Sequence, residues 1–81
     1  MGYSRPRSKH LAAKLLQIRR NLGISQTEMV KRLGVEIHYT NVSKYELDKN
    51  EPPLVVLLAY AKLAGLPLET LIDDSCDLSK K

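Results

Sequence analysis

Residues 25–46 constrain the fold more than any other stretch, because they hold two short helical patterns joined through a glycine. The first pattern opens at Ser25, which forms an S-x-x-E capping box with Glu28. It closes at Gly34, because a helix C-terminus favours a left-handed residue and glycine adopts that conformation at least cost. We therefore predict a helix over residues 26–33 with a turn immediately after it.

The second pattern predicts a helix over residues 39–47 with two different faces. Val42 and Tyr45 share one face at helical spacing. At about 100° per residue, Thr40 and Lys44 fall on the opposite face. An apolar back and a polar, hydrogen-bonding front are the shape that a recognition helix presents to a DNA groove.

The remaining sequence predicts three more helices. Residues 9–22 have an apolar stripe at spacings of four, three and four, with Lys14 outside it: Leu11, Leu15, Ile18 and Leu22. Residues 54–64 are almost wholly apolar, so that helix is either central or covered by a second subunit. A short fifth helix is predicted over residues 68–72, after a proline that can begin a helix.

With 81 residues, the chain has room for one small domain. We expect it to span residues 9–73, between a flexible basic arm at 1–8 and a polar tail at 74–81. Basic arms of this kind can lie along phosphates or enter a minor groove. A disordered tail that contacts nothing is the plainer alternative.

Composition argues against several classes of function. The single Cys76 excludes an internal disulfide or a cysteine-rich zinc site, and His10 and His38 lack metal-ligand spacing, so no metal or cofactor is expected. No apolar run approaches the roughly 20 residues that span a bilayer, so we expect a cytoplasmic protein without membrane contact. No sequence pattern pairs a nucleophile with a base, so we expect no enzyme.

Charge is distributed unevenly along the chain, whose formal net charge is +4. Residues 1–20 carry six cations and no acid, whereas residues 51–81 carry three cations and five acids. A basic front and an acidic rear suggest that a polyanion binds on one side. An ordinary solvated surface gives similar totals, so charge alone leaves both interpretations open.

Four segments together resemble the phage-repressor and Cro type of helix-turn-helix domain, the XRE family: LGISQTEMVKRLG (22–34), VSKYE (42–46), Pro52, and LLAYAKLAG (57–65). The resemblance covers about residues 11–72. It implies an all-α, five-helix, repressor-like DNA-binding domain with a central helix-turn-helix.

The resemblance also implies roles for individual residues. Arg19 and Glu46 match a family pair that forms a partly buried ion pair between the first and third helices. Gln26 matches a glutamine that touches a phosphate and braces the recognition helix, and Arg19 would also anchor a phosphate. The residues expected at or near base edges are Tyr39, Thr40, Asn41, Ser43 and Lys44. Lys49 and Asn50 match a loop whose side chains and backbone N–H groups hold the next phosphate.

Three positions leave alternatives open. Six residues separate Val35 from Val42 where the family usually has four, so either the turn or the front of the recognition helix is longer. Asp48 replaces a common glycine; it adopts the left-handed conformation more readily than most residues, but adds a negative charge near DNA. Tyr39 is either a base or sugar contact or a lid over the lengthened turn.

Two hypotheses of function follow. The first is a sequence-specific double-stranded DNA-binding transcriptional regulator, a repressor, that acts as a homodimer. The second is a protein-interaction module, such as an antitoxin or accessory subunit, whose apolar fourth or fifth helix binds a toxin or another protein. Salt distinguishes them, since binding through about six phosphates weakens roughly a thousandfold between 50 and 200 mM salt, whereas an apolar contact barely changes.

Overall fold

The predicted all-α, five-helix class is confirmed by a computed structural model, which describes residues 10–73. The helices are α1 (Leu11–Leu22), α2 (Gln26–Leu33), α3 (Tyr39–Glu46), α4 (Leu54–Ala64) and α5 (Leu68–Ile72). Their ends lie within one or two residues of the predicted ends. The predicted basic arm and polar tail lie outside the described residues.

A single apolar core takes side chains from all five helices: Leu11, Leu15, Ile18, Met29, Leu33, Val42, Tyr45, Val56, Leu57, Tyr60, Ala61 and Leu71. α3 packs on α1 and α2, whereas α4 packs on α1, α2 and α5. α3 packs against its neighbours through Val42 and Tyr45, and Thr40 and Lys44 on its opposite face are exposed to solvent.

The ends of α2 are set by side-chain and backbone caps. Ser25 is the N-cap, and its Oγ accepts a hydrogen bond from the backbone N–H of Glu28 at 3.1 Å. The predicted capping box is only half formed, because the Glu28 carboxylate accepts from Arg32 Nε at 3.2 Å instead. An opposite charge one turn ahead draws the carboxylate along the helix. Gly34 ends α2 at φ 68°, as predicted.

The sequence placed Lys14 outside the buried face of α1, and this expectation is wrong. Lys14 is only 6% exposed, and its Nζ donates to the carbonyl oxygens of Thr70, at 2.8 Å, and Asp73, at 2.9 Å. Those carbonyls lie at the C-terminal end of α5, where a helix leaves acceptors unpaired and its dipole favours a cation. Lys14 therefore fastens α5 to α1.

α4 is buried on one side only. Its inner face is buried in the core, but Leu54, Val55 and Leu58 are 60%, 61% and 41% exposed. No helix between residues 10 and 73 has the length and apolar character needed to cross a membrane. α4 is therefore central on one side and uncovered on the other.

Candidate nucleic-acid interface

The exposed face of α3 carries the polar side chains that the helical spacing assigned to it. Val42 is fully buried and Tyr45 is 5% exposed, so these two fix the helix on the core. Thr40 and Lys44 are exposed on the opposite side. Asn41 and Ser43 are half-buried beside them.

The front of α3 is capped by His38, a role that was not predicted from the sequence. The His38 backbone N–H donates to Asn41 Oδ1 at 3.0 Å, and the backbone N–H of Thr40 donates to His38 Nδ1 at 3.3 Å. Each of the two residues that flank the helix start thus supplies a side-chain acceptor for a backbone N–H of the other's turn, as in a capping box. Histidine is not among the favoured N-caps, so the only sequence signal is an asparagine three residues later.

Two further contacts order this end of the helix. Thr40 Oγ1 lies 3.0 Å from His38 Nδ1, so the Thr40 hydroxyl is engaged in the cap. The rings of His38 and Tyr39 lie against each other with centroids 4.4 Å apart, while Tyr39 remains 47% exposed. Tyr39 therefore has both a neighbour in the turn and a surface open to a ligand.

The two additional residues of the helix-turn-helix lie in the turn. Three residues of α3 and its N-cap His38 precede Val42, which accounts for four of the six intervening residues. The other two are Glu36 and Ile37. Ile37 is half-buried against the core, and its backbone N–H donates to the carbonyl of Val35 at 3.0 Å. The turn is longer, and the front of α3 keeps its length.

Arg19 and Glu46, the two charges paired by the family resemblance, meet behind α3. Arg19 Nε is 2.7 Å from Glu46 Oε2, and Arg19 Nη2 is 3.1 Å from Oε1. The side chains are 19% and 4% exposed, respectively. The hydrogen bond to Glu46 raises the pKa of Arg19 above its ordinary value; desolvation opposes this shift, and the negative charge of Glu46 reinforces it.

Gln26 joins the same carboxylate from the first position of α2. Its Nε2 donates to Glu46 Oε1 at 3.1 Å, which leaves the second amide hydrogen unused in this contact. The first N–H groups of α2 have no helical acceptor, as at any helix start, and they suit an anion. The brace expected of Gln26 is therefore present, next to a surface that can receive a phosphate.

Arg19 has less capacity for DNA than the resemblance implied. Besides its two bonds to Glu46, its Nη1 donates to the carbonyl of Ile24 at 2.9 Å. A guanidinium has five N–H donors, so two remain on a side chain that is 19% exposed. Its main contacts join α1 to α3 and to the start of the helix-turn-helix.

The loop after α3 is closed by its own backbone. Asp48 adopts the left-handed conformation, which aspartate accepts more readily than most residues, with φ 61°, and its N–H donates to Tyr45 O at 3.2 Å. The N–H groups of Lys49 and Asn50 both donate to Lys44 O, at 2.9 and 3.4 Å. These backbone groups therefore do not point to a phosphate, contrary to expectation, because they satisfy the last carbonyls of α3. The side chains of Lys49 and Asn50 remain exposed.

Comparison with known proteins identifies one matching family. Residues 12–74 match the family model described as "Helix-turn-helix domain". The match covers more than half of the 81 residues and includes α2, the turn and α3. No curated protein and no solved structure gives a match.

Proposed function

Because this chain belongs to the helix-turn-helix family, of XRE type, we propose that it is a sequence-specific double-stranded DNA-binding regulator that represses transcription as a homodimer. The observation that carries this proposal is the position of α3. Its apolar face is buried through Val42 and Tyr45, and Thr40 and Lys44 are exposed on the other side. A helix held in this way can enter a major groove with its polar side chains toward the base edges.

Base contacts would come from the exposed face of α3. Lys44 carries three donors on a flexible stem, which suits the O6 and N7 acceptors of guanine. Thr40 is one turn closer to the helix start, and Tyr39, Asn41 and Ser43 flank the pair. Each good base contact supplies about 1–3 kcal/mol of discrimination.

Phosphate contacts would lie on both sides of α3. Gln26 would use its unused amide hydrogen together with the N-terminal N–H groups of α2. Lys49 and Asn50 would act through their side chains alone. Such contacts fix the register of α3 on the duplex, and they carry no sequence information themselves.

The Glu46 carboxylate fixes the geometry that both kinds of contact require. It accepts hydrogen bonds from Arg19 on α1 and from Gln26 on α2, while it belongs to α3. One buried carboxylate thus links three helices. The phosphate-facing start of α2 and the base-facing side of α3 are held in one arrangement before DNA arrives, which reduces the ordering cost of binding.

The exposed face of α4 supports the proposed homodimer. Leu54, Val55 and Leu58 lie at this surface, beside an open groove of about 480 Å³. The groove is lined by residues of α2, α4 and the turn, and none of them belongs to α3: Arg32, Leu33, Val35, Val55, Leu58, Ala59, Lys62 and Leu63. A second copy on this surface would leave α3 free, so that two copies read half-sites about one helical turn apart.

A protein-interaction module is the second candidate, and it is favoured by the charge of the same groove. Lys62 and Arg32 are its charged lining residues, the described residues that line it include no acid, and Arg32 is paired with Glu28 outside the lining. A partner segment that combines aliphatic and acidic side chains, for example in a toxin, would match both properties. The two functions are compatible in one chain.

The oligomeric state tests the dimer directly. Val55→Glu places a charge in the exposed α4 patch, and Leu47→Glu is a matched control because Leu47 is equally exposed, at 62% against 61%. Light scattering on DNA-free protein should show a dimer for the natural chain and the Leu47 variant, and a monomer for the Val55 variant. Equal masses for the two variants would contradict an α4 interface.

DNA binding is tested by selection of bound sites from random duplexes, followed by titration at two salt concentrations. The proposal predicts an enriched pair of half-sites and an affinity that falls roughly a thousandfold between 50 and 200 mM salt. Failure to enrich any sequence in low salt, together with capture of a protein partner, would favour the interaction module.

A further inference from the structure

The hydrogen bonds around His38 indicate which nitrogen of its ring acts as an acceptor. Two groups of Thr40 meet the same nitrogen, Nδ1: the backbone N–H at 3.3 Å and Oγ1 at 3.0 Å. A backbone N–H can only donate, so Nδ1 must act as an acceptor. The neutral ring therefore carries its proton on Nε2.

This tautomer fixes the direction of the Thr40 hydroxyl. Since Nδ1 has no proton to give, Oγ1 bonds to it only by donating its single hydrogen. A hydroxyl has one hydrogen and two lone pairs, so the lone pairs are what remains for a ligand. Thr40 is exposed at the front of α3, and it therefore offers an acceptor to whatever approaches that end of the helix.

We propose that His38 is a positioning residue that sets base preference through Thr40. It holds the Thr40 hydroxyl as an acceptor, so that α3 selects a base with a major-groove amino group, adenine through N6 or cytosine through N4. This inference rests on the proposed DNA-binding function. Threonine alone has no such preference, because a freely rotating hydroxyl donates to one base and accepts from another.

Two further contacts order the His38 backbone and its ring. Its backbone N–H is held by Asn41 Oδ1 at 3.0 Å, and its ring lies against that of Tyr39, with centroids 4.4 Å apart. The hydroxyl reverses its direction only if its bond to Nδ1 breaks. An exposed neutral hydrogen bond of this kind supports roughly a two- to tenfold preference between bases.

Site selection with three variants tests this role. Thr40→Val keeps the side-chain shape and removes the hydroxyl. The base pair at which this variant changes the selected sequence marks the position that Thr40 contacts. Thr40→Ser retains the hydroxyl and serves as its control. His38→Asn keeps a favoured N-cap, but its amide offers both a donor and an acceptor, so it no longer imposes a direction on the hydroxyl.

The natural chain and the serine variant should show a preference for the amino group of the marked pair: replacing adenine by purine, or cytosine by 2-pyrimidinone, removes that group and should weaken binding about two- to tenfold. Thr40→Val should lose this preference. His38→Asn should reduce it and leave the other positions of the site unchanged, which a merely structural loss of the cap would not do. Unchanged binding when the amino group is removed, no change in Thr40→Val, or full retention of the preference in His38→Asn overturns the proposal.

A DNA-independent measurement separates this inference from the proposed function. Nitrogen-15 NMR of the free protein in mildly alkaline buffer should find the His38 proton on Nε2, and the Nδ1 signal should shift in Thr40→Val. A proton on Nδ1 overturns the inference even if the protein binds DNA. If the tautomer is as expected but no duplex binds in low salt, the proposed function is wrong, and the role of His38 in base choice is wrong with it.

Discussion

Removal of the Glu46 carboxylate, in Glu46→Ala, leaves three donors on two other helices without their acceptor. They are Nε and Nη2 of Arg19, at 2.7 and 3.1 Å, and Nε2 of Gln26, at 3.1 Å. The Glu46 side chain is only 4% exposed, so water does not replace it without rearrangement. The Arg19 side chain is 19% exposed, so part of its charge can be rehydrated.

These contacts set the size of the effect. Breaking a buried ion pair by removing one partner costs about 3–5 kcal/mol. Partial exposure of Arg19 puts the loss in the free energy of unfolding at the lower end, about 3 kcal/mol. In a domain of this size each kcal/mol shifts the unfolding midpoint by about 4–8 °C, so we expect Tm to fall by roughly 12–24 °C.

The same domain contains a matched control. Arg32→Ala breaks the pair with Glu28, whose side chains are 46% and 41% exposed, at a distance of 3.2 Å. Surface pairs of this kind contribute less than about 1 kcal/mol, so its Tm should fall by no more than a few degrees. Thermal unfolding followed by far-UV circular dichroism gives both values under the same conditions.

A double-mutant cycle isolates the pairing. Glu46→Ala combined with Arg19→Ala should lose less stability than the two single variants do in sum, since neither charge is then left without its partner. The reasoning would be refuted by equal Tm values for Glu46→Ala and Arg32→Ala. Strict additivity in the cycle would likewise remove the ion pair as the cause.

Three further predictions concern stability at other buried polar groups and its dependence on pH. Tyr60→Phe should raise the free energy of unfolding by about 1 kcal/mol in urea titrations, because the buried Tyr60 hydroxyl has no hydrogen-bond partner among residues 10–73; a loss of stability would show that the hydroxyl is satisfied. Burial raises the pKa of Tyr60, so above about pH 10, the ordinary value for tyrosine, the unfolded chain releases this proton and the folded chain keeps it. The free energy of unfolding of the natural chain should therefore fall as pH rises above about 10, and the natural chain should unfold in alkali at lower pH than Tyr60→Phe; equal alkaline midpoints would contradict this. Lys14→Met should destabilise the domain by about 1–3 kcal/mol and expose α5 to amide hydrogen exchange, because two carbonyls lose their donor; unchanged exchange in α5 would argue against the cap.

The helices could be predicted from the sequence because their limits are encoded locally. Ser25 and Gly34 mark the ends of α2 through caps that act within one turn. The position of Val42 and Tyr45 at helical spacing predicts which side of α3 is buried, and the structure has that side in the core. Such signals need no knowledge of distant residues.

The contacts that depend on distant or unusual partners were missed. Lys14 bonds to carbonyls 56 and 59 residues away, and helical periodicity cannot show that a cation beside an apolar stripe has such acceptors. Histidine is an uncommon N-cap, so His38 gave no signal of its own. The backbone N–H groups of Lys49 and Asn50 donate to Lys44 O. This direction follows from the left-handed conformation of Asp48, which the sequence does not specify.

The candidate site was predictable in outline through the family resemblance. Residue patterns alone placed Thr40 and Lys44 on one exposed face, whereas the partners Arg19 and Glu46 lie 27 residues apart and came from the resemblance. Spacing does not show whether the two additional residues lie in the turn or in α3, because both arrangements put six residues between Val35 and Val42. The cap at His38 decides it in favour of the turn.

Selection of bound sites by the natural chain and by Lys44→Ala tests the central claim, that the exposed face of α3 contacts base edges of duplex DNA. Lys44 is exposed and does not support the core, so the variant should keep its fold, as judged by an unchanged Tm. We predict that the natural chain enriches a defined pair of half-sites and that Lys44→Ala binds duplexes with a flattened preference at one position of each. Identical enriched sites for both proteins would contradict the claim.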